Sequence, residues 1–260
     1  MTTALITGGT AGIGRAFADK FAELGYDLVL VARNQERLEE AAEELRGWSE
    51  RAGAPRIRIE TLSADLAAVD GRAAVEGRLG DKDRPIDILV NNAGFDLTGP
   101  FQETDIDDQE RLLDVHVRAV LRFTHAALPG MIARGKGSVI NVASVSAFVP
   151  RGTYSAAKAW MVTFSESLAA ELGGTGVRVM ALCPGFTHTE FHDRAGIDQR
   201  QIPGWMWLDT SQVVDEAIAD LRKGLPVSVP SVKYKLMVGG RKLVPRRVST
   251  RLSRRVSKRW

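Results

Sequence analysis

The chain has 260 residues, 44% hydrophobic and 26% charged, a composition that suits a globular protein and excludes a fibrous, disordered or membrane-spanning one. A net charge of +3 hides an asymmetry: thirteen Lys or Arg follow the last acidic residue, Asp220, while the first 220 residues carry 22 basic against 32 acidic residues. The single cysteine, Cys183, excludes an intramolecular disulfide framework and fits a reducing compartment, so a cytoplasmic location is expected.

Taken in chain order, short apolar runs predict buried parallel strands at 3–7, 27–32, 56–61, 86–90, 137–142 and 177–182, with a weaker one at 226–229. Helical patterns fall between them at 12–24, 34–52, 69–79, 106–133, 153–173 and 211–223, with Gly25, Gly135 and Gly174 as stop signals. Strict alternation of strand and helix predicts right-handed crossovers and an α/β fold with a single doubly wound parallel sheet of Rossmann type, helices on both faces. Residues 1–229 then form one catalytic and cofactor-binding domain, and 230–260 a basic, partly helical C-terminal extension. No basic then apolar leader precedes the first strand, so a secretory signal is not expected.

Between the first strand and the first helix the chain reads Thr7-Gly8-Gly9-Thr10-Ala11-Gly12-Ile13-Gly14. In that context Gly8 makes a tight turn, Gly12 admits a pyrophosphate, Gly14 allows close packing, and the helix N-terminus offers free N–H groups. The spacing is G-x-x-x-G-x-G, not the commoner G-x-G-x-x-G. After the second strand, Ala32-Arg33-Asn34 lacks the carboxylate an NAD enzyme offers to the ribose. Arg33 instead puts a guanidinium where the 2′-phosphate of NADP would lie, the alternative being a solvated arginine at a helix start.

Tyr154 and Lys158 lie at i and i+4 near the start of a predicted helix and share one face. A tyrosine with an ordinary pKa near ~10 needs a cation close by to exchange protons at neutral pH, and Lys158 can be that cation. Ser144 lies just past the fifth strand, at the sheet edge where ligands of such folds bind, and its hydroxyl can orient a reacting oxygen.

Together, Thr7 to Gly14, Asn91-Asn92-Ala93-Gly94, Ser144, Tyr154 with Lys158, and Pro184-Gly185 resemble the short-chain dehydrogenase/reductase family over residues 1–229. The local wording at Leu128–Met131 and Pro184–His192 looks most like bacterial ketoacyl-reductase-type members. The resemblance implies that Gly8, Thr10, Gly12, Ile13 and Gly14 hold the pyrophosphate, Asp65 meets the adenine, and Asn92, Ala93 and Gly94 line the cofactor cleft. It makes Tyr154 the general acid/base, Ser144 the group that steadies the carbonyl oxygen, and Lys158 the residue that lowers the tyrosine pKa and holds the nicotinamide ribose. Pro184, Gly185, Thr187 and Thr189 would meet the carboxamide. An NADP(H)-dependent carbonyl reductase or alcohol dehydrogenase follows, working as a homo-oligomeric dimer or tetramer. A redox sensor with little turnover, or a dehydratase or epimerase on the same scaffold, remain alternatives.

One departure stands out: where many members have Asp-Val-Asn-Val, with an asparagine that holds a relay water, this chain has Asp114-Val115-His116-Val117. His116 either serves the relay, adding a pH dependence between about 5.5 and 7.5, or marks a weakened relay, or packs. His188 and His192 lie four apart but lack a third ligand, so no metal is expected. Phe186, Phe191, Ile197, Ile202, Trp205, Met206 and Trp207 suggest either an apolar wall for a hydrophobic or acyl substrate, or tryptophan packing. In the tail, Val248, Leu252, Val256 and Trp260 recur every four residues among arginines and lysines. That pattern fits an anionic membrane surface, or a solvated or oligomer-packed tail; nucleic acid is not expected, since no recognition motif accompanies it.

Overall fold

The structure is a computed structural model and describes residues 2–51, 57–191, 200 and 202–241. Seven parallel strands form one sheet in the order β3-β2-β1-β4-β5-β6-β7. They are β1 (Thr3–Thr7), β2 (Asp27–Ala32), β3 (Ile59–Ser63), β4 (Ile88–Asn91), β5 (Gly137–Val142), β6 (Val177–Leu182) and β7 (Val227–Ser228). The helices between them are α1 (Gly12–Glu23), α2 (Gln35–Arg51), α3 (Val69–Leu79), α4 (Ile106–Leu113), α5 (Ala119–Ala133), α6 (Gly152–Glu171) and α7 (Thr210–Arg222). A last helix, α8 (Val232–Arg241), follows β7.

Because strand side chains alternate, the central strands feed two cores. Ile6, Leu28, Leu30 and Ile140 join Phe17 and Phe21 of α1, Leu38 and Leu45 of α2, and Val213 and Val214 of α7. Leu5, Val29, Leu89 and Val139 face the other way, onto Val75 and Leu79 of α3 and Phe123 and Met131 of α5. Each fully buried side chain of this size contributes roughly 1.5–3 kcal/mol, so the sheet is stabilised from both faces. The register carries β1 beside β2 on one side, Ile6 opposite Leu30, and beside β4 on the other, Ile6 opposite Val90. Strand order reverses there, which opens a crevice at the carboxyl ends of β1 and β4.

The predicted elements are found, with four differences. β3 lies later than 56–61, because its pairing with β2 runs from Leu28 opposite Ile59 to Ala32 opposite Ser63. β4 likewise starts at Ile88 rather than 86. The single helix expected over 106–133 is interrupted at Asp114–Arg118 by a π-turn, whose extra residue turns Val115 and His116 into the interior. Finally, packing continues past residue 229: Tyr234 on α8 is 2% exposed and belongs to the first core. Gly25, Gly135 and Gly174 all take positive φ, as helix stops do.

Candidate active site

The glycine-rich turn at the head of α1 is built for close approach. Gly8 and Gly12 have φ of +68° and +55°. A methyl on Gly14 would come within 2.2 Å of the Gly8 carbonyl oxygen, so only glycine lets the helix pack on the turn. Asn92 ties this turn down: its Nδ2 donates to the carbonyls of Thr7 (2.9 Å) and Gly8 (3.2 Å). The Thr7 hydroxyl in turn accepts from the backbone N–H of Asn92 and Ala93, both at 3.0 Å. These bonds lock the end of β4 to the turn after β1. Thr10 and Ile13 are half-buried in the same turn.

Arg33 is exposed at the end of β2, and among the described residues its guanidinium makes no ion pair. Its charge reaches Asp65, whose Oδ1 accepts from the Ala67 N–H at 3.1 Å and whose Oδ2 pairs with Arg111 at 2.7 Å. Burial opposes ionisation of Asp65, but the Ala67 N–H and the Arg111 and Arg33 charges outweigh it and hold the carboxyl below its usual range. Both oxygens are thus engaged within the protein.

At the carboxyl end of β5, Ser144 caps a 3-10 turn over Val145–Phe148, its Oγ accepting from the Ser146 N–H at 3.0 Å. Its hydroxyl also faces Tyr154 and favours the ionised phenol. Lys158, one helical turn along α6, is 3% exposed, and its Nζ donates to the Val142 carbonyl at 2.6 Å and lies 5.5 Å from the centre of the Tyr154 ring. The structure therefore brings Ser144, Tyr154 and Lys158 together. Burial lowers the Lys158 ammonium to about 7, against Cys183 and Asp96, which favour the charge. The expected lowering of the tyrosine does not appear here. Burial and the charge of Asp96 raise the phenol, and the Ser144 hydroxyl and Arg151 only partly offset them, so Tyr154 is held as a proton donor. Cys183, beneath the site, is pushed up to about 12 by burial and is no thiolate at neutral pH.

His116 is fully buried. Its Nε2 lies 3.0 Å from the Phe95 backbone N and 2.8 Å from the Phe95 carbonyl, while Nδ1 has no partner within the protein. Its ring meets Tyr154 edge-on, with centroids 5.5 Å apart. A methyl on Gly94 would come within 2.4 Å of His116 Cε1, so the glycine makes room for the imidazole. Burial and the Lys158 charge hold His116 well below its ordinary pKa, against the Phe95 bond, so the expected titration between about 5.5 and 7.5 is not supported.

After β6 the chain returns over the site. The Pro184 carbonyl accepts from Val145 N–H at 3.0 Å, Thr187 is buried with its hydroxyl on the Gly185 carbonyl at 3.0 Å, and Thr189 packs against Gly12. Tyr234 clamps this loop from α8: its ring lies on Gly185, and its hydroxyl accepts from Phe186 N–H at 3.1 Å and donates to the Met206 carbonyl at 2.7 Å. His188 stacks on Trp207 at 4.6 Å, and no group able to hold a metal is found among the described residues; His192 and Ile197 lie outside them. Sequence reasoning missed Tyr234, Asp96 and Arg151. No motif marks them, although Asp96 stands only two residues past Gly94.

Residues 2–200 match the model of the short chain dehydrogenases. The chain belongs to the short-chain dehydrogenase family. It is thus an oxidoreductase of carbonyl and alcohol groups that uses a nicotinamide cofactor. Among similar short-chain dehydrogenases, Sulfoacetaldehyde reductase 2 of Chromohalobacter salexigens is 37% identical over 223 residues, covering 84% of this chain and 85% of its own. A short-chain dehydrogenase from Sphingobium yanoikuyae, solved in complex with NADPH, has a TM-score of 0.83 at 35% identity, covering 93% of this chain and 94% of its own. A bulky-bulky ketone specific alcohol dehydrogenase from Comamonas testosteroni has a TM-score of 0.79 at 31% identity, covering 93% and 92%.

Proposed function

We propose that the protein reduces a ketone or aldehyde bearing a hydrophobic body, such as an aryl ketone or a 3-oxoacyl compound, with NADPH. The observation that carries this reading is the meeting of Ser144, Tyr154 and Lys158 beside the glycine turn. The turn fits a dinucleotide, because a side chain at Gly8 or Gly14 would fill the space the backbone needs. In this reading Gly8, Thr10, Gly12, Ile13 and Gly14 hold the pyrophosphate, Arg33 the 2′-phosphate, and Asp65 with its neighbours the adenine. Asn92, Ala93 and Gly94 form the floor, while Pro184, Gly185, Thr187 and Thr189 meet the carboxamide. Bound there, the nicotinamide supplies a hydride to the carbonyl carbon. Tyr154 gives its proton to the carbonyl oxygen as the C=O π electrons move onto it, Ser144 donates a hydrogen bond to that oxygen, and Lys158 holds the ribose and steadies the tyrosinate. His116 fixes the Phe95 backbone against this group and offers Nδ1 to a relay water.

Hydrophobic ketones and aldehydes, screened with NADPH and NADH by nicotinamide absorbance, test the reading. Turnover with NADPH is expected, and Tyr154→Phe should lose about 10²–10⁴-fold in rate while binding NADPH nearly as well. Nucleotide binding without turnover across the panel would favour the redox-sensor alternative.

A second reading concerns the surface. Val232 and Leu236 on α8 are 70% and 71% exposed, and the uniformly basic stretch beyond Asp220 continues from them. Apolar side chains beside a cationic segment suit peripheral attachment to an anionic membrane surface from the cytoplasmic side. No described helix is long and apolar enough to cross a membrane.

A further inference from the structure

Asp96 lies in the segment leaving β4 at the carboxyl edge of the sheet. Its neighbour Phe95 is pinned through its backbone to His116 Nε2, and the His116 ring abuts Tyr154, so the chain delivers residue 96 to the catalytic group. The carboxylate is half-buried, and among the described residues its one hydrogen bond is at Oδ1, from the adjacent Leu97 N–H at 2.8 Å. Among the described residues it has no ion-pair partner within 4.0 Å. The charges of Arg151 and Lys158 nevertheless reach it, and its own charge reaches Tyr154. Burial, working against both cations, raises its carboxyl above the ordinary range. Phe191 lies 6.0 Å from the tyrosine ring and supplies an apolar neighbour.

A carboxylate that loses water and gains a single backbone donor in return is left under-satisfied, and a ligand that donates to it recovers part of that loss. We propose that Asp96 is a specificity-determining residue that accepts a hydrogen bond from an O–H or N–H donor, a hydroxyl or a protonated amine, on the carbon next to the substrate carbonyl. It also disfavours an anionic group at that carbon. The inference rests on the carbonyl-reductase reading above. It narrows the substrate class to α-hydroxy and α-amino ketones with an apolar body.

Four ketones of matched shape test it with NADPH: α-hydroxyacetophenone, α-aminoacetophenone, propiophenone and benzoylformate. The readout is the change on mutation in the kcat/KM ratio of each to propiophenone, because an α-substituent alters carbonyl reactivity by itself. In Asp96→Ala the hydroxyl and amine ratios should fall about tenfold or more, as expected for a hydrogen bond to a charged group, and the benzoylformate ratio should rise. Asp96→Asn, which keeps the shape, should lose the amine preference while retaining part of the hydroxyl preference. Unchanged ratios in both variants would overturn the proposal. A binding arm removes the dependence on turnover: calorimetry of NADP⁺-loaded Tyr154→Phe protein, in which oxidation of the alcohols is blocked, with phenylethanolamine and with α-ethylbenzyl alcohol should show the amine about tenfold tighter, a preference absent when Asp96→Ala is added. Equal binding of the two where Asp96 is kept would sink the assignment. A binding preference without hydride transfer would instead leave Asp96 standing and remove the reductase reading.

Discussion

A buried lysine beside a half-buried tyrosine makes the stability of this protein depend on pH in a way its surface charges do not. Lys158 sits at about 7 in the folded protein against an ordinary 10.5, so between those values the unfolded chain holds a proton that the folded chain lacks. Stability therefore rises with pH across that interval, by up to about 1.4 kcal/mol per unit, and the penalty is fully present below 7. Cys183 acts in the opposite direction once pH passes its ordinary 9.0, because its folded value is about 12. Urea titrations without added nucleotide should accordingly show a gain of roughly 2 kcal/mol from pH 7 to 9 that Lys158→Met lacks. Parallel pH profiles for the two proteins would contradict the shift. At this scale the sequence was informative where chemistry follows from spacing: Tyr154 and Lys158 four apart, Ser144 at a strand end. The direction of the Tyr154 shift was not legible, since it comes from enclosure and from Asp96, which no spacing rule links to residue 154.

Among the elements that deviate from a plain reading, two serve the site. The π-turn at Asp114–Arg118 carries apolar periodicity on either side, so the sequence reads as one helix; the added residue shows only when His116 points inward onto Phe95 and Tyr154. Helix α8 lies beyond every family motif and carries three exposed apolar residues, Val232, Leu236 and Met237, which disguises its buried anchor, Tyr234. That anchor has a measurable weight. Gly185→Ala would place a methyl 2.0 Å from Tyr234 Cζ, and the overlap should cost about 1–3 kcal/mol of stability and weaken turnover by displacing the loop that carries Thr187. In a Tyr234→Ala background the same substitution should cost clearly less, as a double-mutant cycle by urea unfolding would show. Additive effects would mean that the two residues do not bear on each other. The strands, by contrast, were legible because a buried parallel sheet demands continuous apolar runs.

The whole molecule divides by charge into an acidic body and a basic end, and that division was visible in composition alone. What the basic end does was not, because a solvated tail and a lipid-binding tail share the same residues. Truncation after Gly240 removes nine Lys or Arg and no residue assigned to the cofactor or to chemistry. Activity on a small ketone should survive, while sedimentation with anionic vesicles at low salt should fall severalfold, and the full chain's binding should weaken as salt shortens the Debye length to ~8 Å. Full-length protein that ignores such vesicles would remove the surface reading, and a change of oligomeric state on truncation would make the tail an assembly element. The clamp at Tyr234 also bears on the order in which the protein is made. Synthesis proceeds from the N-terminus, so Ser144, Tyr154, Lys158 and the loop to Phe191 all exist before the residue that fastens that loop. The intervening stretch of roughly forty residues takes a few seconds to synthesise. Over that interval a nascent chain carries Ser144, Tyr154 and Lys158 while the loop from Gly185 lacks the residue that fastens it.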